Sequence, residues 1–245
     1  MNAQDHCIVW IHGIGETQQG YSAPWKAALD PYLKLPDGNY TEVLWSDVFG
    51  ENKQLNAEET LVGDAIHTIL AGLPGFSLDL DAYVGEFVPY LVKPDMRTKV
   101  NAKLSQALLA LPNNCNNISL IAHSWGTVVA YETLQGLSKD QPHFRLTNLF
   151  TLGSPLKYVQ LFLGDNPGPK PWNTTTWVNI YAQGDLIASS LRRSDLIDSL
   201  LDLGFQVDRD SEVPNFGGGD AHGSYFDQGN VAVLRDIIAS TISNS

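Results

Sequence analysis

The sequence has little cysteine, little positive charge and no long apolar run. Only two cysteines occur among 245 residues, which excludes a small disulfide-rich scaffold. The 15 lysines and arginines stand against 27 acidic residues, and the resulting net charge of −12 disfavours nucleic acid and anionic membranes as partners. No segment approaches the roughly 18 apolar residues that a bilayer-spanning helix needs, so stable membrane insertion is not expected.

The N-terminus and the two cysteines both bear on where the protein is located. The first residues, Met-Asn-Ala-Gln-Asp-His, lack the basic and apolar regions of a signal peptide, so we predict a cytoplasmic protein. We favour Cys7 and Cys115 as two free thiols, although a bridge stays open because both can precede parallel strands at the same edge of a sheet. No Cys-x-x-Cys or Cys/His cluster is present, and we predict neither a metal nor an organic cofactor.

Short strand candidates, which here are called runs, alternate with predicted helical segments along the chain. The runs are 7–11, 41–45, 118–122, 149–152 and 177–181, and the helical segments are 24–33, 100–111, 127–137 and 231–242. This alternation predicts an α/β protein with a mostly parallel central sheet flanked by helices on both faces. The length of the chain fits a single domain, 1–245. A polar, glycine-rich loop is predicted over 208–223.

The segment of about 47–93 is too long for a simple connection and is interpreted as an insertion. It contains apolar aromatic residues that suit a lid or an acyl-binding wall, and these are Phe76, Tyr83, Phe87 and Tyr90. An ordinary role in the core is an equally good interpretation of the same residues.

The segment Ala122-His123-Ser124-Trp125-Gly126 has the pattern of a nucleophile elbow. In such an elbow a serine lies on a strained turn between a strand and a helix, so the residues two before and two after it must be small. Ala122 and Gly126 meet this requirement, and an apolar strand precedes the turn. The alternative is a serine that only caps the helix.

With these residues the sequence resembles the α/β-hydrolase superfamily, in its lipase and esterase branch. The resemblance is carried by the following segments: His12-Gly13-Ile14-Gly15, Ala122-His123-Ser124-Trp125-Gly126, Gly153-Ser154-Pro155, Asp185 and His222-Gly223-Ser224-Tyr225. Ala122 stands where the family usually has glycine, and the insertion has no counterpart in the smallest members. The resemblance implies the α/β-hydrolase fold and a catalytic triad.

The resemblance also implies the chain order nucleophile, acid, base. Two histidines follow Ser124. His143 is expected at the far end of the sheet as a surface or packing residue, and His222 lies in the glycine-rich loop and is the candidate base. Asp185 comes soon after a predicted strand and is the candidate acid. Asp220 is the alternative, but it is too close to His222 in sequence to fold back onto the ring.

An oxyanion hole needs two N–H donors that face the developing charge. The residue after the nucleophile, Trp125, supplies one backbone N–H, and the resemblance implies Ile14 as the second donor. Gly13 allows the backbone of this loop to turn inward. His12 and His123 are expected to support the loop and the elbow without taking part in the chemistry.

The implied reaction is hydrolysis of a small-molecule ester or lipid-like substrate through an acyl-enzyme on Ser124. A thioesterase, amidase or acyltransferase would use the same triad, and the sequence does not separate these activities. A different class of protein, a non-catalytic binding module on a hydrolase scaffold, is disfavoured by the intact set of Ser124, Asp185 and His222. The oligomeric state is not indicated by the sequence.

Overall fold

A central sheet of six parallel strands organises the protein. The computed structural model describes residues 5–15, 17–49, 60–61, 63–64, 88–163, 168–192 and 204–245. The strands are β1 (His6–Ile11), β2 (Tyr40–Val43), β3 (Asn117–His123), β4 (Leu146–Leu152), β5 (Thr174–Ala182) and β6 (Arg209–Val213). They lie in the order β2-β1-β3-β4-β5-β6, and every neighbouring pair is parallel. The predicted α/β class and the parallel sheet are therefore confirmed.

Strand β1 shows why these apolar runs form a buried sheet. All of its residues are buried, because side chains that alternate along a strand meet a core on each face of the sheet. Val9 and Ile11 pack into one core, whereas Ile8 and Trp10 pack into the other. A strand that is covered on both faces requires a continuous apolar run, which is the pattern that the sequence shows.

Helices cover both faces of the sheet, as predicted. They are α1 (Ala23–Leu29), α2 (Pro94–Leu109), α3 (Gly126–Asp140), α4 (Leu156–Leu163) and the C-terminal helix α5, which contains the segments Val231–Val233, Leu234–Ala239 and Ser240–Ser243. The buried side chains of α2 and α3 pack on the same face as Val9, and those of α1 and α5 pack on the face of Trp10. No helix within the described ranges is both long and apolar enough to cross a bilayer.

Strand β6 corrects the prediction of a loop over 208–223. It pairs with β5 and forms one edge of the sheet. Within β6 only Val213 is buried, because an edge strand has a single neighbour, and charged side chains on it hinder pairing with other chains. The polar sequence Arg-Asp-Ser-Glu-Val therefore gave no apolar signal for a strand.

Cys7 and Cys115 form a disulfide bond, which corrects the preference for two free thiols. Cys7 lies in β1, and Cys115 comes just before β3, the neighbour of β1 in the sheet. Cys7 is opposite Ile118 in this pairing, and the Cα atoms of the two cysteines are 5.5 Å apart, within the usual range for a bridge. Disulfides are typical of oxidising compartments and rare in the cytosol. The bond therefore disfavours the predicted cytoplasmic location, and that location remains unconfirmed.

Most of the insertion predicted at about 47–93 lies outside the described residues, and so do three of its aromatic residues, Phe76, Tyr83 and Phe87. The described ends of the insertion are helical, with a 3₁₀ turn at Ser46–Phe49 and a helical turn at 88–92. Tyr90 in the second turn is buried, and its hydroxyl donates to Asn101 of α2 at 2.9 Å. This end of the insertion is therefore part of the core, while the cap or lid and the single domain stay predictions.

Candidate active site

The candidate site lies where the strand order of the sheet reverses. From β1 the chain continues to β2 on one side, whereas β3, β4, β5 and β6 follow one another on the other side. In open parallel sheets such a reversal leaves a crevice at the carboxyl ends of the strands, and ligands bind there. Residues 12–15 follow β1 and Ser124 follows β3, so both predicted segments flank the reversal point.

Ser124 occupies a tight turn between β3 and α3. Its φ of 53° is the only positive φ of a non-glycine residue in the described ranges, and such a backbone conformation is strained. The Ser124 N–H donates to the Leu152 carbonyl at 2.9 Å, and α3 begins at Gly126. A Cβ atom at Gly126 would collide with the carbonyl oxygen of His12, so the turn requires glycine there. The structure thus has the strand–turn–helix geometry that the sequence predicted.

The three predicted catalytic side chains lie within hydrogen-bond distance of one another. His222 Nε2 is 2.8 Å from Ser124 Oγ, and His222 Nδ1 is 3.0 Å from Asp185 Oδ2. Because a carboxylate only accepts hydrogen bonds, Nδ1 carries the proton of the neutral ring, and Nε2 accepts from the Ser124 hydroxyl. Ser124 and Asp185 are buried, and His222 is half-buried. Loops after β3, after β5 and before α5 bring these residues together.

The carboxylate of Asp185 is held by several donors besides the histidine. Its Oδ2 accepts from the Tyr225 hydroxyl at 2.6 Å, and its Oδ1 accepts from the N–H groups of Ile187 at 3.0 Å and Ala188 at 3.3 Å. Burial alone would raise the pKa of Asp185, but the hydrogen bonds from His222, Tyr225 and Ile187 outweigh it and hold the pKa below its ordinary value. Asp185 is therefore ionised at neutral pH.

The contact with Tyr225 was missed by the sequence reasoning. Tyr225 follows His222 by three residues and lies in a short 3₁₀ turn, where its side chain is buried. The residue belongs to the segment that carries the family resemblance, but nothing in the sequence indicates which way its hydroxyl points. Only the fold shows that the phenol and the Asp185 carboxylate meet.

The alternative acid Asp220 and the other histidine after Ser124, His143, do not belong to this hydrogen-bonded series. Asp220 lies in the loop of His222, but its Oδ1 accepts from the Gly223 N–H at 2.9 Å and so stabilises that turn. His143 is exposed and precedes β4, at the end of the sheet opposite to Ser124.

Gly13 brings the backbone of the loop after β1 directly against the Ser124 side chain. A Cβ atom at this position would lie 2.6 Å from Ser124 Cβ and 3.0 Å from Ser124 Oγ, so only glycine allows the approach. The peptide between Gly13 and Ile14 is thus next to the hydroxyl. Trp125 follows the serine at the N-terminal end of α3, where a helix favours negative charge. Both predicted oxyanion donors therefore belong to segments that border Ser124.

His12 fixes the orientation of that peptide. Its Nδ1 is 2.6 Å from the Gly13 carbonyl oxygen, and its ring stacks on Trp45 with 5.1 Å between the ring centroids. Burial lowers the pKa of His12 to about 4, although the hydrogen bond to Gly13 partly opposes this, so the ring is neutral and Nδ1 donates. Because the C=O and N–H of a trans peptide point in opposite directions, this bond also sets the direction of the Ile14 N–H.

His123 supports the loop that carries His222. Its Nε2 donates to the backbone carbonyl of His222 at 2.8 Å, and the two ring centroids are 4.9 Å apart. Burial, with a smaller contribution from the nearby His222, lowers the pKa of His123 to about 3. The neutral ring thus acts as a fixed donor beneath the turn, in agreement with the supporting role that the sequence suggested.

Three histidines whose pKa is lowered by their surroundings predict that mild acid destabilises the fold. Burial lowers the pKa of His6 to about 4, that of His12 to about 4 and that of His123 to about 3. An unfolded histidine titrates near pH 6.5, so between about pH 6.5 and 4 the unfolded chain binds protons that the folded protein does not. The free energy of unfolding therefore falls as the pH drops. The slope is about 1.4 kcal/mol per pH unit for each histidine that is protonated in the unfolded chain and neutral in the folded protein.

Urea unfolding between about pH 7 and pH 5 measures this slope before most carboxylates titrate near pH 4. His6→Gln changes a residue at the end of β1 that is remote from Ser124, and we expect the slope to fall by the share of one histidine. His143→Gln replaces an exposed side chain and is the matched control, with an unchanged slope. A wild-type free energy of unfolding that stays constant over this interval would contradict the prediction.

Comparisons with known proteins give the chain no family. No protein-family model matches the sequence, and no curated protein matches it at a significant level.

In the part of the chain that the structure describes, no group of three or more histidine, cysteine, aspartate or glutamate side chains could hold a metal ion. The site is therefore interpreted from its own geometry, and the absence of a metal or cofactor stays a prediction.

Proposed function

We propose that this protein is a serine hydrolase of the α/β-hydrolase kind that cleaves carboxylic esters through an acyl-enzyme on Ser124. The observation that carries the proposal is the continuous hydrogen-bonded series from Ser124 Oγ through His222 to Asp185, with distances of 2.8 Å and 3.0 Å. A serine is a weak nucleophile at neutral pH, and an adjacent imidazole that is oriented by a carboxylate is the usual means of activating it.

The position of the series in the sheet supports the same proposal. In α/β-hydrolases the nucleophile lies on a strained turn after a strand, and the acid and the histidine follow in that order along the chain. Here the turn after β3 carries Ser124, the loop after β5 carries Asp185, and His222 precedes α5. The positive φ at Ser124 matches the strain expected of such an elbow.

The proposed reaction begins with attack of Ser124 Oγ on the ester carbonyl carbon, while His222 Nε2 takes the hydroxyl proton. Asp185 keeps the proton of the ring on Nδ1 and stabilises the imidazolium that forms. His222 then gives its proton to the leaving alcohol, and the acyl group remains on Ser124. In the deacylation step, a water molecule gives a proton to His222 and attacks the acyl carbon. The bond between that carbon and Ser124 Oγ then breaks, and His222 returns the proton to Oγ.

The developing oxyanion needs two donors that are already in place. The backbone N–H groups of Ile14 and Trp125 are the proposed pair. The close approach of Gly13 to Ser124 Oγ and the hydrogen bond from His12 to the Gly13 carbonyl support this assignment, since together they hold the peptide of Ile14 beside the nucleophile. Removal of one such donor typically costs about 10²–10³-fold in kcat.

The proposed substrate is a small-molecule ester or a lipid-like ester, and the net charge of −12 disfavours strongly anionic substrates. A panel of p-nitrophenyl esters, a matched thioester and a matched anilide tests the reaction class. We expect the esters to be cleaved with a kcat of about 1–10³ per second and the anilide much more slowly. Faster cleavage of the thioester than of the ester would instead favour the thioesterase alternative, and no turnover of any member would favour the binding module.

A further inference from the structure

The series of hydrogen bonds does not end at Asp185. The hydroxyl of Tyr225 lies 2.6 Å from Asp185 Oδ2 and accepts from the backbone N–H of Ala182 in β5 at 2.9 Å. The series therefore extends from the last residue of β5, through the phenol and the carboxylate, to His222 and Ser124. The phenol links the rigid sheet to the candidate acid.

The direction of each hydrogen bond in this part of the series is fixed. A backbone N–H only donates, so the phenol oxygen accepts from Ala182 and its single proton is directed at the carboxylate. The Tyr225 side chain is buried, with 1% of its surface exposed, and burial and the nearby Asp185 raise its pKa well above the ordinary value. The phenol is thus a permanent donor over the whole range of pH in which a histidine titrates.

We propose that Tyr225 is a positioning residue for the hydrolase site, which orients the Asp185 carboxylate and limits how strongly that carboxylate attracts the proton on His222. The inference rests on the proposed function. The phenol binds Oδ2, while the N–H groups of Ile187 and Ala188 bind Oδ1, so donors on both oxygens fix the plane of the carboxylate. Each donor also withdraws negative charge from the carboxylate, which then stabilises an imidazolium less.

Several charged or titratable side chains lie around His222, and they determine how a change at Tyr225 affects this histidine. Asp185 contacts the ring from the loop after β5, and His123 faces it from β3 with a ring distance of 4.9 Å. Asp220, on the loop of His222 itself, acts at longer range on the same cluster. Of these groups, Asp185 is the one that Tyr225 contacts through a hydrogen bond, so loss of the phenol hydroxyl acts on His222 through Asp185.

Tyr225→Phe tests the proposal, because it removes the hydroxyl and keeps the ring that packs near His123. We expect kcat on a p-nitrophenyl ester to fall about 10-fold with KM nearly unchanged, because the carboxylate loses the donor that fixes its plane and aligns the imidazole less well for proton transfer. Without the phenol the carboxylate is more basic and holds the imidazolium more firmly. The acid limb of the kcat/KM profile therefore moves to higher pH, by roughly half a unit to one unit.

Tyr131→Phe is the matched control. This buried phenol donates to the Pro169 carbonyl at 3.2 Å, and its ring stacks on Trp177, away from Ser124. Its removal is expected to leave kcat and the acid limb unchanged. Site-specific 3-fluorotyrosine at position 225 is the second variant: the stronger donor keeps activity and moves the acid limb to lower pH.

The outcomes separate this inference from the proposed function. An unchanged kcat and an unchanged acid limb in folded Tyr225→Phe would overturn the positioning role, and so would an equal effect in Tyr131→Phe. If Tyr225→Phe does not fold, an acid limb that fails to move with 3-fluorotyrosine has the same meaning. A wild-type protein that neither cleaves the ester nor reacts at Ser124 with a fluorophosphonate contradicts the proposed function itself, and this inference with it.

Discussion

Ser124→Ala is expected to lower kcat on an activated ester by about 10⁴–10⁶-fold while the fold is retained. The substitution removes the proposed nucleophile but leaves the backbone of the turn, the proposed oxyanion peptides and the pair of His222 and Asp185. Any residual turnover above the rate in water is expected to come from the proposed oxyanion donors and from substrate binding. Initial rates with a p-nitrophenyl ester measure the effect, and far-ultraviolet circular dichroism checks the fold.

Ser240→Ala provides the matched control for the loss of a serine hydroxyl. Ser240 lies on α5, where its hydroxyl donates to the Asp236 carbonyl at 2.7 Å, and it does not contact the site. We expect wild-type kcat in this variant. A folded Ser124→Ala protein that retains more than about a tenth of the wild-type rate is incompatible with covalent catalysis at that residue.

Replacement of both cysteines by alanine is expected to lower the free energy of unfolding by about 3–5 kcal/mol. Cys7 and Cys115 are separated by 108 positions, and a bridge that closes a loop of this length restricts the unfolded chain by about 4–5 kcal/mol in the chain-entropy description. The bond joins β1 to the start of β3, the two strands that precede residues 12–15 and Ser124. Urea unfolding of the oxidised wild type and of the double variant measures the difference.

Reduction supplies the control for this prediction. Dithiothreitol should lower the free energy of unfolding of the wild type toward that of Cys7→Ala/Cys115→Ala and should leave the double variant unchanged. Both proteins should retain their kcat at temperatures where they are folded, because the bond lies at the end of the sheet opposite to Ser124. Equal stability of oxidised and reduced wild type would show that the bridge does not form in solution.

The parts of the fold that could be predicted are those that depend on local apolar pattern. The run Cys-Ile-Val-Trp-Ile of β1 indicated a strand that is buried on both faces, and the structure has it so. Ser124 and Asp185 each follow such a strand, so the rule that carboxyl ends of parallel strands meet at one edge was enough to place them together. The predicted roles of these residues remain proposals, but their convergence is a property of the fold.

The parts that could not be predicted depend on the neighbours that folding supplies. Strand β6 is held by its pairing with β5, and its own side chains are mostly polar. The disulfide depends on the register of β1 and β3, which places Cys7 opposite Ile118. The contact of Tyr225 with Asp185 depends on the direction of one hydroxyl across a sequence distance of 40 residues. No local sequence pattern indicates the strand, the disulfide or the contact of the phenol with the carboxylate.

The most direct measurement is labelling with a fluorophosphonate probe, followed by mass spectrometry of the digested protein. A serine that is activated by an adjacent imidazole reacts covalently with such a probe, whereas an ordinary surface or capping serine does not. The account predicts one adduct per chain, on the peptide that contains Ser124, and no adduct in Ser124→Ala or in heat-unfolded protein. Folded wild-type protein that stays unlabelled, or that carries its adduct at a different serine, would contradict it.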